Sequence, residues 1–192
     1  MIELRPIARE DLRWLYHQYL VKDFPPEERK SFQSMERLVR LGEYDTWGLY
    51  DGEELLAYAL LWVGEDREYV MLDYLAVKPR RRGEGLGTQV LGLLEERYRN
   101  YRGILVEADS PRSDAGEAVN AQRRRRLDFY RRAGYRDLDR VAFLFDVWYT
   151  LLISRRTPVG ETAAILDMHE KLYKRGAALA GKRYTPILYE KS

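Results

Sequence analysis

Apolar positions recur along this chain with two different periods, and each change of period marks a predicted element. Residues 2–7 alternate apolar and polar side chains, which is typical of a short strand. The next apolar residues recur at helical spacing: Leu12, Leu15, Tyr16 and Tyr19. Pro25 and Pro26 end that helix, and the acidic residues after them favour the start of a second one. Its predicted buried stripe is Phe32, Met35 and Val39.

Three strands are predicted in the next stretch, joined by short polar turns. Residues 47–50, 55–63 and 69–77 are largely apolar or aromatic, and Asp51-Gly52 is a turn dipeptide. The second and third runs are almost continuously apolar, so we expect these strands to lie mid-sheet with both faces covered. Asp73 interrupts the third run. A carboxylate in a buried strand costs free energy unless it is paired or takes part in chemistry.

The rest of the chain alternates between helices and strands. The pattern predicts a helix over residues 86–99, a strand over 104–108, a helix over 117–133 and one or two strands within 141–152. Thr157-Pro158 begins a further predicted helix, and residues 184–189 form a candidate short strand. This C-terminal stretch is either packed on the sheet or an interaction surface, and its apolar periodicity favours packing.

The composition narrows the class of protein. The 192 residues, 45% hydrophobic and 33% charged, suit one globular domain with an appendage. The net charge is +2, from 33 basic and 31 acidic residues, so no overall field favours nucleic acid or a membrane. The chain has no Cys, which excludes disulfides, thiolate zinc sites and a cysteine acyl-enzyme. Any acyl transfer is therefore expected to be direct.

Two further features concern location and metals. No apolar run approaches the roughly 20 residues of a membrane span, and the first residues lack the apolar stretch of a signal peptide, so we expect a cytoplasmic protein. The histidines, His17 and His169, lie in predicted helices far apart in the sequence. Their spacing is not that of a metal site, so we predict no metal and expect each to be a surface or packing residue.

The segment between the third strand and the next helix is rich in arginine and glycine. Arg80, Arg81 and Arg82 precede glycines at 83, 85 and 87, and an amphipathic helix follows. Glycine permits positive φ and close approach of the backbone to a ligand, and the first N–H groups of a helix have no partner within it. N–H groups from Gly83 to Thr88 would hold an anion there. The segment therefore predicts a phosphate site, with a plain tight turn as the alternative.

The spacing of these residues distinguishes between nucleotide-binding motifs. Neither GxGxxG, typical of dinucleotide sites, nor GxxxxGK[ST], typical of nucleoside triphosphate sites, is present here. The segment reads R-x-x-G-x-G, as Arg82-Gly83-Glu84-Gly85-Leu86-Gly87, directly after the strand ending Leu75-Ala76-Val77. It resembles the acetyl-CoA pyrophosphate site of the GNAT superfamily of N-acetyltransferases.

The resemblance implies a fold and a cosubstrate. The fold would be α/β (α+β): a mixed, mostly antiparallel central sheet flanked by helices on both faces, with a C-terminal helical extension. Residues 1–153 would form the acetyl-CoA-dependent domain, and residues 154–192 an extension packed on it. Leu75 and Val77 would pair with the pantetheine arm of acetyl-CoA where two strands splay apart, and an ordinary sheet ladder is the alternative. The pyrophosphate would be held by Arg82, Gly83, Gly85, Leu86, Gly87 and Thr88.

A second signature lies at the end of the helix over residues 117–133. Phe129-Tyr130 followed by Gly134-Tyr135 is similar to the FYxxxGF-like helix end of the superfamily. The resemblance implies that Tyr130 faces the sulfur of CoA. Many members carry Asn seven residues before this tyrosine, where it contacts pantetheine, whereas this chain has Arg123 there and Asn120 three residues earlier. We assign Arg123 to the cofactor site, on a face that meets the nucleotide 3′-phosphate.

The resemblance implies direct transfer of an acetyl group from acetyl-CoA to a primary amine of a small molecule or peptide. An alkyl amine with a pKa near 10.4 is about 99.9% protonated at pH 7, so a base must remove a proton before the nitrogen attacks. Glu107 and Asp73 are the candidate bases, in that order, because both are expected to point toward the splay; a structural acceptor is the alternative for each. Tyr130 is the candidate acid for the departing thiolate, and a core aromatic is its alternative.

Other functions stay open at this point. A catalytically silent sensor of acyl-CoA would keep the same pocket, and a longer acyl donor would use the same residues. The four arginines at 123–126 suggest an RNA-binding or tRNA-modifying protein, but on a helix they spread around more than half the circumference, and Glu117 and Asp128 flank them. Nucleic acid is therefore disfavoured as a partner. A homodimer is left open.

Overall fold

Eight strands form one mixed sheet in the computed structural model, which describes residues 1–111 and 116–190. The strand order is β1-β2-β3-β4-β5-β7-β6-β8. Among these described strands only β4 and β5 pair in parallel, and the other pairs are antiparallel. The strands are β1 (Ile2–Pro6), β2 (Tyr44–Asp51), β3 (Glu54–Trp62), β4 (Tyr69–Val77), β5 (Gly103–Asp109), β6 (Tyr135–Leu144), β7 (Val147–Ser154) and β8 (Ile187–Glu190). The predicted mixed, mostly antiparallel sheet is confirmed.

Helices cover both faces of this sheet. They are α1 (Leu12–Leu15), α2 (Val21–Asp23), α3 (Phe32–Leu41), α4 (Leu86–Arg97), α5 (Glu117–Arg132) and α6 (Thr162–Leu179). A π-helical turn, Tyr16–Leu20, joins α1 to α2 without a break in right-handed backbone. In the described part of the chain, none of these helices is both long and apolar enough to cross a membrane.

Two hydrophobic cores lie on opposite faces of the sheet. Leu15, Met35 and Met168 pack on one face and bring together α1, α3 and α6. Val90 and Leu127, from α4 and α5, pack on the other face. From Ala57 to Trp62, successive residues of β3 alternate between the two cores, which is why that strand reads as an almost continuous apolar run. The expectation that the middle strands are covered on both faces is confirmed.

The C-terminal helix approaches the sheet closely. A Cβ atom at Gly176 of α6 would lie 2.6 Å from the ring of Trp62, so only glycine allows this distance. Ile165 and Leu172 of the same helix are buried in the core of that face. After α6 the chain adds β8 to the edge of the sheet beside β6. The two described elements of the extension, α6 and β8, thus contact the rest of the protein. The division of the chain at residue 153 stays a prediction.

The loop before α3 differs from the sequence prediction. The helix predicted to start at the prolines begins only at Phe32, where the Ser31 hydroxyl accepts a hydrogen bond from the Ser34 N–H at 3.2 Å. Such a serine cap satisfies a backbone donor that the helix itself leaves without a partner. Pro26–Glu28 is a single 3-10 turn, and Arg29 is extended. Residues 24–31 therefore form a loop, which lies against the end of β4.

Candidate active site

β4 and β5 part in the middle of the sheet. Their pairing runs from Tyr69 opposite Gly103 to Leu72 opposite Val106. At the next residue, Asp73, β4 carries a bulge, because Leu61 of β3 faces Leu72 while Leu60 faces Tyr74. A bulge inserts one extra residue and bends its strand. Beyond it, β4 stays with β3 and β5 stays with β7, so the two parallel strands diverge as the resemblance implied.

A cleft of about 700 Å³ occupies the divergence. The glycine turn after β4 forms one end, and the diverging strands form its walls. The loop before α3, the end of β5, β7 and α6 supply a second group of lining residues, whose charged groups gather around Tyr149. We call the glycine turn the donor end of the cleft and this second group of lining residues the acceptor end. Most of the predicted site residues line this cleft: Asp73, Leu75, Val77, Arg82, Gly83, Gly85, Leu86, Gly87, Thr88, Glu107 and Tyr130.

The glycines of the donor end serve two different purposes. Gly83 and Gly85 have φ of +87° and +77°, in the left-handed region that glycine adopts without strain. No other described group lies within 4 Å of where their Cβ atoms would be, so their faces are open toward the cleft. A Cβ at Gly87, by contrast, would lie 3.1 Å from the ring of Phe129, so this glycine lets α4 approach α5. Gly85 caps α4 and leaves its first N–H groups at the cleft.

Two arginines border the same end. The Arg82 Nε donates to the Val77 carbonyl oxygen at 3.2 Å, and its guanidinium lies 3.7 Å from Asp23. Its side chain is 61% exposed, so most of the guanidinium is open to an anion. Arg81 lines the cleft as well, but its Nε donates to both oxygens of Glu84 at 3.0 Å. The guanidinium of Arg82 is therefore more available to an anion than that of Arg81.

Asp73 is fully engaged by its neighbours. Both of its carboxylate oxygens accept hydrogen bonds from the Lys30 Nζ, at 2.8 and 2.7 Å, and the Tyr44 hydroxyl donates to one of them. The Lys30 ammonium also lies 4.3 Å from the centre of the Trp62 ring. Burial, together with the charge of Asp73, holds the pKa of Tyr44 well above its usual value, so this donor keeps its proton. These contacts favour the structural alternative for Asp73.

Glu107 is held by the C-terminal helix. Its Oε1 lies 2.5 Å from the His169 Nε2, and its Oε2 accepts a hydrogen bond from the Tyr173 hydroxyl at 2.7 Å. His169 is completely buried and Tyr173 is 9% exposed. Burial and then the charge of Glu107 raise the pKa of Tyr173 well above its usual value. His169, expected to be a surface or packing residue, is thus a buried partner of a predicted site residue.

A further charged group lies where the end of β5 meets α5. Asp109 is 3.2 Å from Arg126 and 3.9 Å from Arg123. Arg126 lines the cleft together with Gln122, whereas the Arg123 side chain is 19% exposed and reaches toward Asp109. The assignment of Arg123 to the cofactor site stays a prediction. The sequence drew attention to the right helix turn, but Arg126 is the arginine at the cleft wall.

Glu28 was missed by the sequence reasoning. It lines the cleft from the 3-10 turn before α3 and is half-buried. Burial first, and then the charge of Asp109, raise the pKa of Glu28 to about 7, against a lowering contribution from Arg126. The only sequence signal was the acidic pair after Pro25-Pro26, which reads as an ordinary helix start.

Tyr130 lines the cleft wall between the two ends. It is 8% exposed and packs against Phe129 and Tyr135, with ring centres 5.1 and 5.9 Å away. Burial raises the pKa of Tyr130 to about 12, although Arg126 lowers it in part. The hydroxyl therefore carries its proton at neutral pH and is able to donate it.

The rim of the acceptor end is aromatic and strained. Phe145, at the tip of the β6–β7 hairpin, has φ of +47°, which is unfavourable for a bulky side chain. Its ring stacks on Tyr184 at 4.4 Å, and its N–H donates to the Tyr184 hydroxyl at 3.3 Å. Phe145 and Tyr149 line the cleft beside Tyr173. No sequence signal pointed to this aromatic rim.

The described residues bring no three potential metal ligands together, and the absence of a metal stays a prediction. The cleft instead offers open main-chain donors at one end and several carboxylates at the other. Such an arrangement suits a long ligand with an anionic end, and a cationic group meeting it from the far side.

Comparisons with known proteins agree with this geometry. A solved structure from Bacteroides thetaiotaomicron, assigned to the GNAT family of acetyltransferases, superposes with a TM-score of 0.71 at 22% identity, over 90% of this chain and 96% of that one. Arabidopsis thaliana NAA60 in complex with acetyl-CoA superposes with a TM-score of 0.59 at 17% identity, over 80% and 97%. A mutant form of the spermidine N-acetyltransferase SpeG of Vibrio cholerae gives 0.58 at 12%, over 84% and 96%.

The sequence itself carries the family assignment. No curated protein matches the chain. The family model described as Acetyltransferase (GNAT) family matches residues 9–135, which is more than half of the chain and includes the glycine turn and Tyr130. The structural neighbours share the fold of the sheet that β4 and β5 split. The protein therefore belongs to the GNAT family of acetyltransferases.

Proposed function

We propose that this N-acetyltransferase moves the acetyl group of acetyl-CoA directly to a primary amine of a small molecule or peptide, with both substrates bound at once. The observation that carries the proposal is the cleft between β4 and β5. It joins open main-chain donors at Gly83 and Gly85 to carboxylates at the opposite end. A donor and an acceptor entering from opposite ends would meet in the divergence.

The donor end fits the phosphates of acetyl-CoA. The N–H groups at the start of α4 and the positive end of that helix favour an anion, and the exposed Arg82 guanidinium adds a cation beside them. The unpaired stretch of β4 that holds Leu75 and Val77 lies along the cleft wall, where an amide-containing arm would pair with it. Bound acetyl-CoA supplies a thioester, whose carbonyl carbon is open to attack by an amine.

Residues of the chain would then remove one proton from the acceptor and donate another to the leaving group. A primary ammonium at the acceptor end must lose one before its nitrogen can form the new C–N bond. As the C–S bond breaks, the thiolate takes a proton from Tyr130, whose hydroxyl is protonated at neutral pH. The leaving thiol has a pKa of about 8.5, so this proton helps without being indispensable. With no Cys in the chain, a cysteine acyl-enzyme is excluded and transfer is direct.

The acceptor class follows from the charge of the acceptor end. Four carboxylates from three segments lie around the Tyr149 hydroxyl: Glu28, Asp73, Glu107 and Asp109. Their charges raise the pKa of Tyr149, after burial as the main cause. A cationic amine is favoured there and an anionic acceptor is not. Among the structural neighbours, SpeG is a spermidine N-acetyltransferase, so a polyamine belongs among the acceptors to be tested.

The arginine-rich helix gives little support to a nucleic-acid function. Arg124 pairs with Glu117, and Arg126 pairs with Asp109. Arg123 also points at Asp109, so three of the four cations already face carboxylates. An RNA site would need these charges open to phosphates and would lose affinity steeply with salt. Binding of tRNA that does not change with salt concentration would remove this alternative.

The test is a thiol-release screen with acetyl-CoA against polyamines, aminoglycosides, amino acids and peptide N-termini, with mass spectrometry of the products. We expect one class of primary amine to release thiol and to be recovered as its N-acetyl derivative. Initial rates varied in both substrates should give intersecting double-reciprocal lines. Tight binding of acetyl-CoA without thiol release from any amine would contradict the proposal and favour the silent sensor.

A further inference from the structure

We propose that Glu28, in the loop before α3, is the general base that takes the proton from the acceptor ammonium. The assignment rests on the proposed function and deepens it, because it places the base outside the sheet. Neither of the carboxylates that the sequence singled out, Glu107 and Asp73, has this role. Three independent features of the structure lead to Glu28.

The first feature is that the other carboxylates of the acceptor end already have donors. Asp73 is bound by Lys30 and Tyr44, and Glu107 is bound by His169 and Tyr173. Asp109 pairs with Arg126. A base must first give up such donors before it can accept a proton from a substrate.

The Glu28 carboxylate is different. Within residues 1–111 and 116–190, no hydrogen bond or ion pair to this carboxylate is formed. It nevertheless lines the cleft and is half-buried. A half-buried carboxylate without a protein partner is available to an ammonium from the substrate, and it costs free energy that a substrate would recover.

The second feature is that the backbone around Glu28 is fixed. The Tyr74 hydroxyl, from β4, donates to the Glu28 carbonyl oxygen at 2.9 Å and accepts from the Lys30 N–H at 2.8 Å. The Tyr16 hydroxyl donates to the Lys30 carbonyl oxygen at 3.0 Å. These bonds tie the loop to β4, which borders the cleft, and to the π-helical turn. Glu28 is therefore held in place over the divergence although it lies outside any long helix or strand.

The third feature is the charge environment. Asp109 faces Glu28 from β5, Arg126 and Arg123 face it from α5, Tyr149 lies nearby on β7, and Glu27 is its neighbour in the loop. Burial and Asp109 together raise the pKa of Glu28 to about 7 despite the two arginines. A base with a pKa near the working pH combines a useful deprotonated fraction with the strongest pull on the proton.

Glu28 and Tyr130 would act together near one charged pair, Glu28 as the base and Tyr130 as the acid. The Asp109–Arg126 pair affects the pKa of both residues, so both lie close to it. The ammonium gives a proton to Glu28, and its nitrogen lone pair forms the C–N bond to the thioester carbon. The C–S bond then breaks, and its electron pair takes the proton of Tyr130. The nitrogen loses a second proton as the amide forms, and this proton restores the Tyr130 phenolate to the phenol. Glu28 and the CoA sulfur therefore each gain one proton, the nitrogen loses two, and the step balances.

The test compares Glu28→Gln with Glu27→Gln and Glu107→Gln, using the primary alkyl amine with the highest rate in the screen above. Removal of a general base typically costs about 10²–10⁴-fold, and we expect about 10²-fold in kcat/KM at pH 7 for Glu28→Gln. Wild-type kcat/KM should rise with pH through about 7, since Glu28 acts only when deprotonated. The Glu28→Gln profile should lack that rise. Glu27→Gln should keep the rise but move it to lower pH, because the charge of Glu27 is among those that raise the pKa of Glu28.

Three outcomes would overturn the assignment. An active Glu28→Gln variant that keeps the rise through pH 7 would exclude Glu28 as the base. Loss of that rise in Glu107→Gln alone would give the role to Glu107. A wild-type protein that is inactive with every amine would remove the proposed function and this assignment together. Calorimetric titration with acetyl-CoA should give the wild-type affinity for Glu28→Gln, which shows that the variant is folded.

Discussion

The two ends of the cleft are built in opposite ways. The donor end comes from one contiguous segment, the turn from β4 into α4, and its chemistry lies in main-chain N–H groups that positive φ at Gly83 and Gly85 leaves open. The acceptor end comes from side chains on the loop before α3, β4, β5, β7 and α6. Its groups are held in pairs such as Lys30 with Asp73 and His169 with Glu107.

The two ends should therefore respond differently to substitution. A main-chain site depends on local backbone shape and on nearby charge, so its disruption should weaken binding while the fold persists. A site of paired side chains joins distant parts of the chain, so its disruption should alter the rate of reaction and the stability of the fold. Tyr130 lies between the two ends. Its replacement is expected to have the largest effect on the rate.

Replacing Tyr130 by Phe should slow thiol release by about 100-fold, at the low end for a general acid, and leave the affinity for acetyl-CoA unchanged. The phenol proton is lost, but the ring and its contacts with Phe129 and Tyr135 remain. Steady-state thiol release and calorimetry would measure the two quantities. A rate equal to that of the wild type would return Tyr130 to the role of a core aromatic.

Reversing the charge of Arg82 tests the donor end. Arg82→Glu should raise the acetyl-CoA dissociation constant by about tenfold or more, equivalent to about 1.4 kcal/mol, because a carboxylate would then face the phosphates. Arg80→Glu is the matched control, since Arg80 is exposed in the same turn and Arg81 and Arg82 are the arginines there that line the cleft. Equal weakening by both variants would indicate a general field rather than a site at Arg82.

The smallest effect concerns the support of Glu107 by α6. His169→Leu should lower the free energy of unfolding by about 1 kcal/mol, since one oxygen of Glu107 loses its donor. For a protein of this size that is a fall of about 2–4 °C in Tm. His169→Gln retains a donor and should lie closer to the wild type. A leucine variant more stable than the glutamine variant would show that the His169–Glu107 pair destabilises the fold.

Much of the donor end could be predicted from the sequence because its signals are local. The run of residues 72–77, the arginines and the three glycines lie within one short segment, and the covered strands β3 and β4 appeared as continuous apolar runs. Asp73 and Glu107 could also be singled out, since each interrupts or ends an apolar strand. Their partners could not, because Lys30 is 43 residues from Asp73 and His169 is 62 residues from Glu107.

Glu28 could not be predicted for a related reason. Acidic residues after proline are typical of a helix start, and only the delayed start of α3 at Ser31 and Phe32 turns this segment into a loop at the cleft. The raised pKa of Glu28 depends on burial and on Asp109, 81 residues later in the chain. Patterns along the chain report periodicity and local turns, and they do not report which distant charges come to face each other.

The most direct measurement is an amide NMR titration of the protein, labelled with 15N at its glycines, with acetyl-CoA. We expect large shifts at Gly83, Gly85 and Gly87, which border the donor end. The amides of Gly52, in the β2–β3 turn, and of Gly160, before α6, should stay unchanged. Saturable binding of acetyl-CoA that leaves the three cleft glycines unshifted would contradict the claim that this turn holds the cosubstrate.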